Sequence, residues 1–209
     1  MKKSTVIIVD DHKLFRDGLK FILSETGIAD IIAEASNGKE FLLLLEKIKP
    51  DLVLMDINMP VMNGIESSKK ALEIYPDLNI LVLSMYGDEE YYNTMIDLGV
   101  KGFLLKDADT SELKTAIKKI VDGGSYFSQQ LLLNIINSRQ VKETVKLTRR
   151  EKEILSLICG GHSNNKISDE LHISSRTVER HRAELLDKTQ SSNSISLVIY
   201  AIKHGLVKI

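Results

Sequence analysis

Four short apolar runs each end in polar residues that are able to do chemistry. Asp10-Asp11 follow Val6-Ile7-Ile8-Val9, Asp56 ends Leu52-Val53-Leu54-Met55, Ser84 ends Ile80-Leu81-Val82-Leu83, and Lys106 ends Gly102-Phe103-Leu104-Leu105. Three carboxylates brought into one crevice repel one another and call for a hard cation. Mg2+ suits them, because it takes one or two carboxylates and keeps water and phosphate oxygens in its other positions. Asp56 can then act as a nucleophile toward a phosphoryl group and form an acyl phosphate. Mg2+ and Lys106 would neutralise charge on the transferring oxygens, and Ser84 could hydrogen-bond the attached group. Taken singly, each Asp reads as a turn or helix cap, Ser84 as a strand-end cap and Lys106 as solvated. Their placement after four runs in the right order favours one shared pocket.

The runs say what must position these residues. Each is continuous, rich in Leu or β-branched residues and too short for a helix, as in strands buried on both faces of a parallel sheet. Ile31-Ile32-Ala33 supplies a fifth run. Between them lie helical patterns such as Leu14, Leu19, Phe21-Ile22 and Phe41, Leu42, Leu45, Ile48, with Asn37 and Glu40 as an N-cap pair. Five strands alternating with five helices predict a doubly wound α/β domain over 1–121, whose strand ends open on one crevice at the topological switch point. Gly123-Gly124 breaks the pattern. Leu131 to Ile136 predicts a short helix and Ser138 to Lys146 a polar linker, so 122–146 reads as a connector. No strand run occurs in 147–209. Thr148-Arg149-Arg150-Glu151 is a capping box, Gly160-Gly161 ends that helix, and Ser163, Ser174 and Ser192-Asn193 are caps for three more. The second domain is predicted to be an all-α unit of four helices.

The N-terminal segments resemble the response-regulator receiver family. The matching stretches are Val9-Asp10-Asp11-His12, Leu54-Met55-Asp56-Ile57-Asn58-Met59-Pro60-Val61-Met62-Asn63-Gly64, Leu83-Ser84 and Gly102-Phe103-Leu104-Leu105-Lys106. The resemblance implies a flavodoxin-like five-stranded fold with Asp56 as phosphoacceptor. It also implies that Asp10, Asp11, Asp56 and the backbone carbonyl of Asn58 hold Mg2+. Ser84 would move onto the phosphoryl group while the Phe103 ring swings inward. Two positions depart from the family pattern: Asp107 stands where many receivers have proline, and Asn63 replaces a frequent aspartate.

The C-terminal third points to nucleic acid. Residues 146–209 hold 11 Lys+Arg against 7 Asp+Glu, whereas 1–145 hold 17 against 22, within a chain of net charge −1. Ile167 and Leu171 form one apolar stripe, His172-Ile173-Ser174 turns, and Val178, Leu185 and Leu186 form the next, which is a helix-turn-helix pattern. The opposite face of the second helix carries Arg176, Glu179, Arg180 and Ala183 and is the natural major-groove reader. Arg176, Lys166 and Lys188 suit phosphates. A solvated face on an ordinary bundle would carry similar charges. The stretches Leu147–Leu155, Gly161–Asn164, Lys166-Ile167, Ile173–Arg182, which includes Thr177, and Tyr200–Val207 resemble the LuxR-type helix-turn-helix domain. Lys188-Thr189-Gln190 departs from its usual Leu-Gly after the lysine. The resemblance implies DNA contacts by this helix, Thr177 included, and a dimer surface on the last helix, about 193–204.

Together the two resemblances identify the chain as a member of the NarL/FixJ-type response regulators. They imply a DNA-binding transcription factor phosphorylated by a partner histidine kinase, a homodimer when phosphorylated or on DNA, with RNA polymerase as a further partner. No catalysis is expected beyond phosphoryl transfer onto Asp56. Two other classes share part of this pattern. A haloacid-dehalogenase-type phosphatase also joins an Asp nucleophile, Mg2+ and Lys, but places Asp-x-Asp on its first strand, where this chain has adjacent Asp10-Asp11. A small-molecule-sensing LuxR-type regulator would need an aromatic-lined pocket, in a chain with no Trp and 5% aromatics. No apolar run is long enough for a membrane span, Met1-Lys2-Lys3-Ser4 does not open a signal peptide, and Cys159 reads as a buried thiol, so a cytoplasmic protein is expected.

Overall fold

The computed structural model describes residues 3–85, 89–128 and 145–207. The helix expected over Leu131 to Ile136 and most of the linker expected to Lys146 lie outside them. Strands and helices alternate as β1 (Ser4–Val9), α1 (Lys13–Thr26), β2 (Ala29–Ala35), α2 (Gly38–Leu45), β3 (Leu52–Asp56), α3 (Gly64–Ile74), β4 (Ile80–Ser84), α4 (Glu89–Leu98), β5 (Gly102–Leu105), α5 (Thr110–Val121) and β6 (Tyr126–Phe127). All strands pair in parallel, in the order β2-β1-β3-β4-β5-β6. The sequence predicts five strands. The sixth, β6, is a two-residue aromatic strand that the Gly123-Gly124 turn returns to the edge of β5.

The sheet divides its side chains by alternation. Val6, Ile8, Leu52, Leu54, Leu81, Leu83 and Leu104 pack on one face against Leu19 and Leu23 of α1 and Leu113, Ala116 and Ile117 of α5. Ile7, Val9, Val53, Met55, Val82 and Phe103 pack on the other, toward Phe41, Ala71, Met95 and Ile96. Strands β3, β4 and β5 are buried throughout. The segment Ile31-Ile32-Ala33 is different, because β2 is a sheet edge with alternating burial and Ile32 is 40% exposed. Asn37, Asn63 and Asp109 each cap a helix by accepting an N–H from Glu40, Glu66 and Glu112 at 3.0, 2.8 and 2.8 Å. Asn63 thus has a structural role as the cap of α3.

Residues 145–207 form α6 (Arg149–Cys159), α7 (Asn164–Leu171), α8 (Ser175–Thr189) and α9 (Ser194–Lys203). Thr148 and Glu151 make the expected reciprocal capping box, and Ser163, Ser174 and Asn193 cap the following helices. His172, in the left-handed region at φ 52°, turns α7 into α8. Ile154, Leu155, Ile158, Ile167, Val178, Leu185, Leu197 and Ala201 are buried in the core.

Among the described residues, the two halves touch at two places. At one, Asn193 and Ser192, at the start of α9, donate to the Ile96 carbonyl and to Asp97 at the end of α4. At the other, Lys119 Nζ of α5 donates to the Gly160 carbonyl at 3.0 Å, next to a close backbone approach between Gly124 and Gly161. A Cβ on Gly124 would lie 2.3 Å from the Gly161 oxygen, so glycine is needed there for the halves to meet. No helix among the described residues is long and apolar enough to cross a membrane.

Candidate functional site

Strand order places the chemistry. Between β1 and β3 the chain reverses its direction of travel across the sheet, and the crevice at such a point opens beyond the carboxyl ends of the strands. Val9 pairs with Met55, so Asp10 and Asp56 leave adjacent strands side by side, while Ser84 pairs with Leu105, one residue before Lys106. Lys106 Nζ bridges the two carboxylates, 2.7 Å from Asp10 Oδ2 and 2.9 Å from Asp56 Oδ2. Asp10 is fully buried and Asp56 is 3% exposed. Gly64 is part of the construction: a Cβ there would lie 2.0 Å from the Asp56 carbonyl oxygen.

Charge in this pocket does not balance. Oxygens of Asp10, Asp11 and Asp56, with a ring nitrogen of His12, lie within 4.8 Å of one another, and among the described residues Lys106 is the ammonium in contact with the Asp10 and Asp56 carboxylates. Asp10 Oδ2 and Asp11 Oδ1 are buried, facing Lys106 Nζ at 2.7 Å and His12 Nδ1 at 2.9 Å. Such a set of hard oxygen donors with surplus negative charge fits a divalent cation. Burial raises the Asp56 pKa to about 6, with Asp10 adding to the rise and Lys106 and the Ile57 N–H opposing it. Burial disfavours the charge on Lys106, but the hydrogen bond to Asp10 and the charge of Asp56 outweigh it and hold its pKa above the usual value.

The remaining predicted residues fall around this centre. Asn58 sits exposed two residues beyond Asp56. Ser84 is fully buried, with Oγ 3.5 Å from the Tyr92 hydroxyl. The Phe103 ring is fully inside, edge-to-face with Tyr92 at 5.4 Å between centroids. Sequence reasoning missed Arg16, whose Nη1 donates to the Asp10 carbonyl at 2.6 Å while its Nε faces Glu34 at 3.3 Å. It also missed His12 as a neighbour of the carboxylates, and Tyr92. An arginine one turn into an amphipathic helix carries no sequence signal that separates it from a solvated one.

On the predicted reading helix, Arg176, Glu179, Arg180, Ala183 and Lys188 are exposed, and Lys166 is exposed on α7. Arg180 Nε lies 3.6 Å from Glu184. Thr177 is tied locally, its hydroxyl 2.8 Å from that of Ser174 in the α8 cap. Lys188 is engaged within the domain: its Nζ is 2.5 Å from Glu151, a carboxylate only 2% exposed. Arg182 instead turns inward, where burial lowers its pKa, and donates to the His162 carbonyl at 3.4 Å. Along α9, the helix expected to carry a dimer surface, Ile195, Leu197, Val198, Ile199 and Ala201 are buried, and its start is bonded to the end of α4.

A six-stranded parallel sheet with an acidic crevice, followed by a helix-turn-helix unit, defines a receiver joined to a DNA-binding module. Residues 6–118 match the response regulator receiver domain, and residues 145–201 match the bacterial regulatory proteins of the luxR family. The chain belongs to the response regulators that carry a LuxR-type DNA-binding domain. It is similar to transcriptional regulatory protein DegU of Brevibacillus brevis, at 36% identity over 99% of this chain and 96% of the relative. It is also similar to transcriptional regulatory protein MctR of Rhizobium johnstonii, at 35% over 98% and 96%. Among solved structures, response regulator ChrA of a heme-sensing two-component system superposes with a TM-score of 0.56 at 28% identity, covering 99% of this chain and 100% of that one.

Proposed function

We propose that Asp56 is the phosphoacceptor through which a sensor histidine kinase controls DNA binding by residues 147–209. The observation that carries this reading is the Asp56 carboxylate at the switch point, 2.9 Å from Lys106 and packed beside Asp10 and Asp11. An Asp56 oxygen attacks the phosphorus of a phosphohistidine; the new O–P bond forms as the N–P bond breaks, and the electron pair stays on the imidazole nitrogen. Asp10, Asp11, Asp56 and the Asn58 carbonyl would hold Mg2+, which when bound would supply positive charge to the transferring oxygens. Lys106 orients the acceptor and stays on the product, and Ser84 hydrogen-bonds the attached phosphoryl group while Phe103 responds. An apolar groove of about 620 Å³ between α1 and α5, bordered by Leu14, Phe15, Met85 and Lys106, opens beside the pocket and suits a partner helix.

In the domain order of receiver 1–121, connector 122–146 and DNA-binding unit 147–209, the exposed face of α8 reads the major groove. Arg180 and Glu179 address base edges; Arg176, Thr177, Ala183, Lys166 and Lys188 line the duplex. The recognition face is open whereas the start of α9 is bonded to the end of α4, so the resting receiver holds the helix implied as dimer surface rather than the reader. Phosphorylation frees α9, and two copies then bind a two-half-site operator and engage RNA polymerase, in the cytoplasm. The protein's chemistry is limited to phosphoryl transfer onto Asp56. Incubation with Mg2+ and acetyl phosphate tests the reading: one phosphoryl group should appear, mapped to Asp56 and absent from Asp56→Asn. Full labelling of that variant would overturn it.

A further inference from the structure

Three aromatic rings run from the phosphoryl pocket to the DNA-binding unit. Ser84 Oγ meets the Tyr92 hydroxyl, the Tyr92 ring meets Phe103 edge-on at 5.4 Å, and Phe103 meets Phe127 at 6.2 Å between centroids. Phe127 stands on β6 in direct register with Phe103. Its neighbour Tyr126 points to the other side of the sheet and is anchored by a 2.9 Å hydrogen bond to Glu112 of α5. That anchor fixes the strand and leaves Phe127 facing the effector.

Phe127 also borders a small, partly open void of about 60 Å³ with Ile158 and Cys159 of α6, Gly161, and Val198 of α9. Phe103 and Tyr92 are closed in, at 0% and 1% exposed, so a displaced Phe103 ring must push a neighbour. Phe127, the ring neighbour of Phe103 on β6, has this void beside it and the DNA-binding unit across it. A packed chain ending at a void can adopt two discrete arrangements instead of deforming smoothly.

We propose that Phe127 is the positioning residue that carries the state of Asp56 to α6 and α9. This rests on the phosphoacceptor reading of Asp56 and adds a transmission element that lies beyond the matched receiver segment. When Ser84 closes on the phosphoryl group, Tyr92 and Phe103 repack, Phe127 shifts into the void, and the α6 and α9 contacts with the receiver loosen. An effect passes between two sites only through an element whose arrangement both of them bias, and Phe127 packs against Phe103 on one side and lines the void shared with α6 and α9 on the other.

The test uses the full chain, with beryllium trifluoride and Mg2+ as a stable phosphoryl mimic, and reads hydrogen exchange over Ser194–Lys203. In the wild type the mimic should speed exchange there by about fivefold or more, the lower end of ordinary coupling. Phe127→Ala and Phe127→Leu should keep acetyl phosphate labelling at Asp56, keep slow α9 exchange without the mimic, and respond less than about twofold to it. The leucine variant retains apolar bulk and covers the case in which alanine unfolds. Phe127→Tyr, which restores a ring, should recover most of the response. Wild-type-sized responses in both ring-less variants would overturn the relay. Fast α9 exchange in them without the mimic would also overturn it, making Phe127 a passive latch. A wild type that takes no label at Asp56 would instead fail the phosphoacceptor reading on which the relay rests.

Discussion

Replacing Asp56 by asparagine should stabilise the metal-free protein, and the gain should grow with pH. The carboxyl has an ordinary pKa of 3.8 in water and about 6 in its pocket, chiefly because burial penalises the anion. Between those values the native state holds a proton that the unfolded chain has released, so stability falls as pH rises. The stability is fully present below 3.8 and is lost as pH rises through 6. At about 1.36 kcal/mol per tenfold change in proton affinity, the full loss is about 3 kcal/mol above pH 7, an upper bound. Asparagine keeps the shape without the charge, and Lys106 retains Asp10 as partner. The variant should therefore exceed the wild type by about 1–3 kcal/mol at pH 8, and by roughly half as much at pH 5. Urea unfolding followed by circular dichroism measures this, since the chain has no Trp. Mg2+ should narrow the gap by binding only the native wild-type pocket. A less stable variant at pH 8, or a gap that ignores pH, would refute the electrostatic account.

Other outcomes follow from the same contacts. Removing Mg2+, or changing Asp10 and Asp11 together to alanine, should slow acetyl phosphate labelling at least about tenfold, or about 1.4 kcal/mol of barrier, measured by phosphate-affinity gels. Gly64→Ala should destabilise the receiver by about 1–3 kcal/mol and slow labelling, because its Cβ would strike the Asp56 carbonyl; melting curves and labelling rates check both. Arg180→Ala should cost about 1–3 kcal/mol on the preferred site and relax one base position, whereas Arg176→Ala should lower the log–log salt slope by about one; duplex titrations at several salt concentrations separate them. Burial raises the Glu151 pKa, but the Lys188 and Thr148 bonds outweigh this and hold it below the usual range. That stability is present above the ordinary value of 4.5 and lost as pH falls. Glu151→Gln should thus weaken the helical unit at pH 7 by about 1–3 kcal/mol and much less in acid, by chemical denaturation.

What the sequence could show depended on whether a residue's role is local. Asp10, Asp56, Ser84 and Lys106 were legible because strand ends announce themselves by where the apolar runs stop, and a parallel sheet collects those ends in one crevice. Capping residues such as Asn37, Thr148 and Ser174 were legible because a cap acts within four residues. Strand β6 was not, since two aromatic residues after a Gly-Gly turn have no period, and Phe127 gains its place only by pairing with Phe103. Ile32 was read as buried because a continuous run does not say which strand will be the edge. In sequence Lys188 reads as a phosphate contact and Arg16 as a solvated cation. Only the tertiary fold brings Glu151 to the first and the Asp10 carbonyl to the second. The contact between α9 and α4 was equally hidden, because an amphipathic helix does not name what it packs against.

The most direct test of the account is the change in DNA affinity on phosphorylation, compared between wild type and Asp56→Asn. The duplex should be one selected by the protein itself from random sequence, titrated at fixed salt with and without acetyl phosphate and Mg2+. The account predicts a gain of about 5- to 150-fold for the wild type and none for the variant. Equal gains in both proteins, or none in a wild type fully labelled at Asp56, would contradict it.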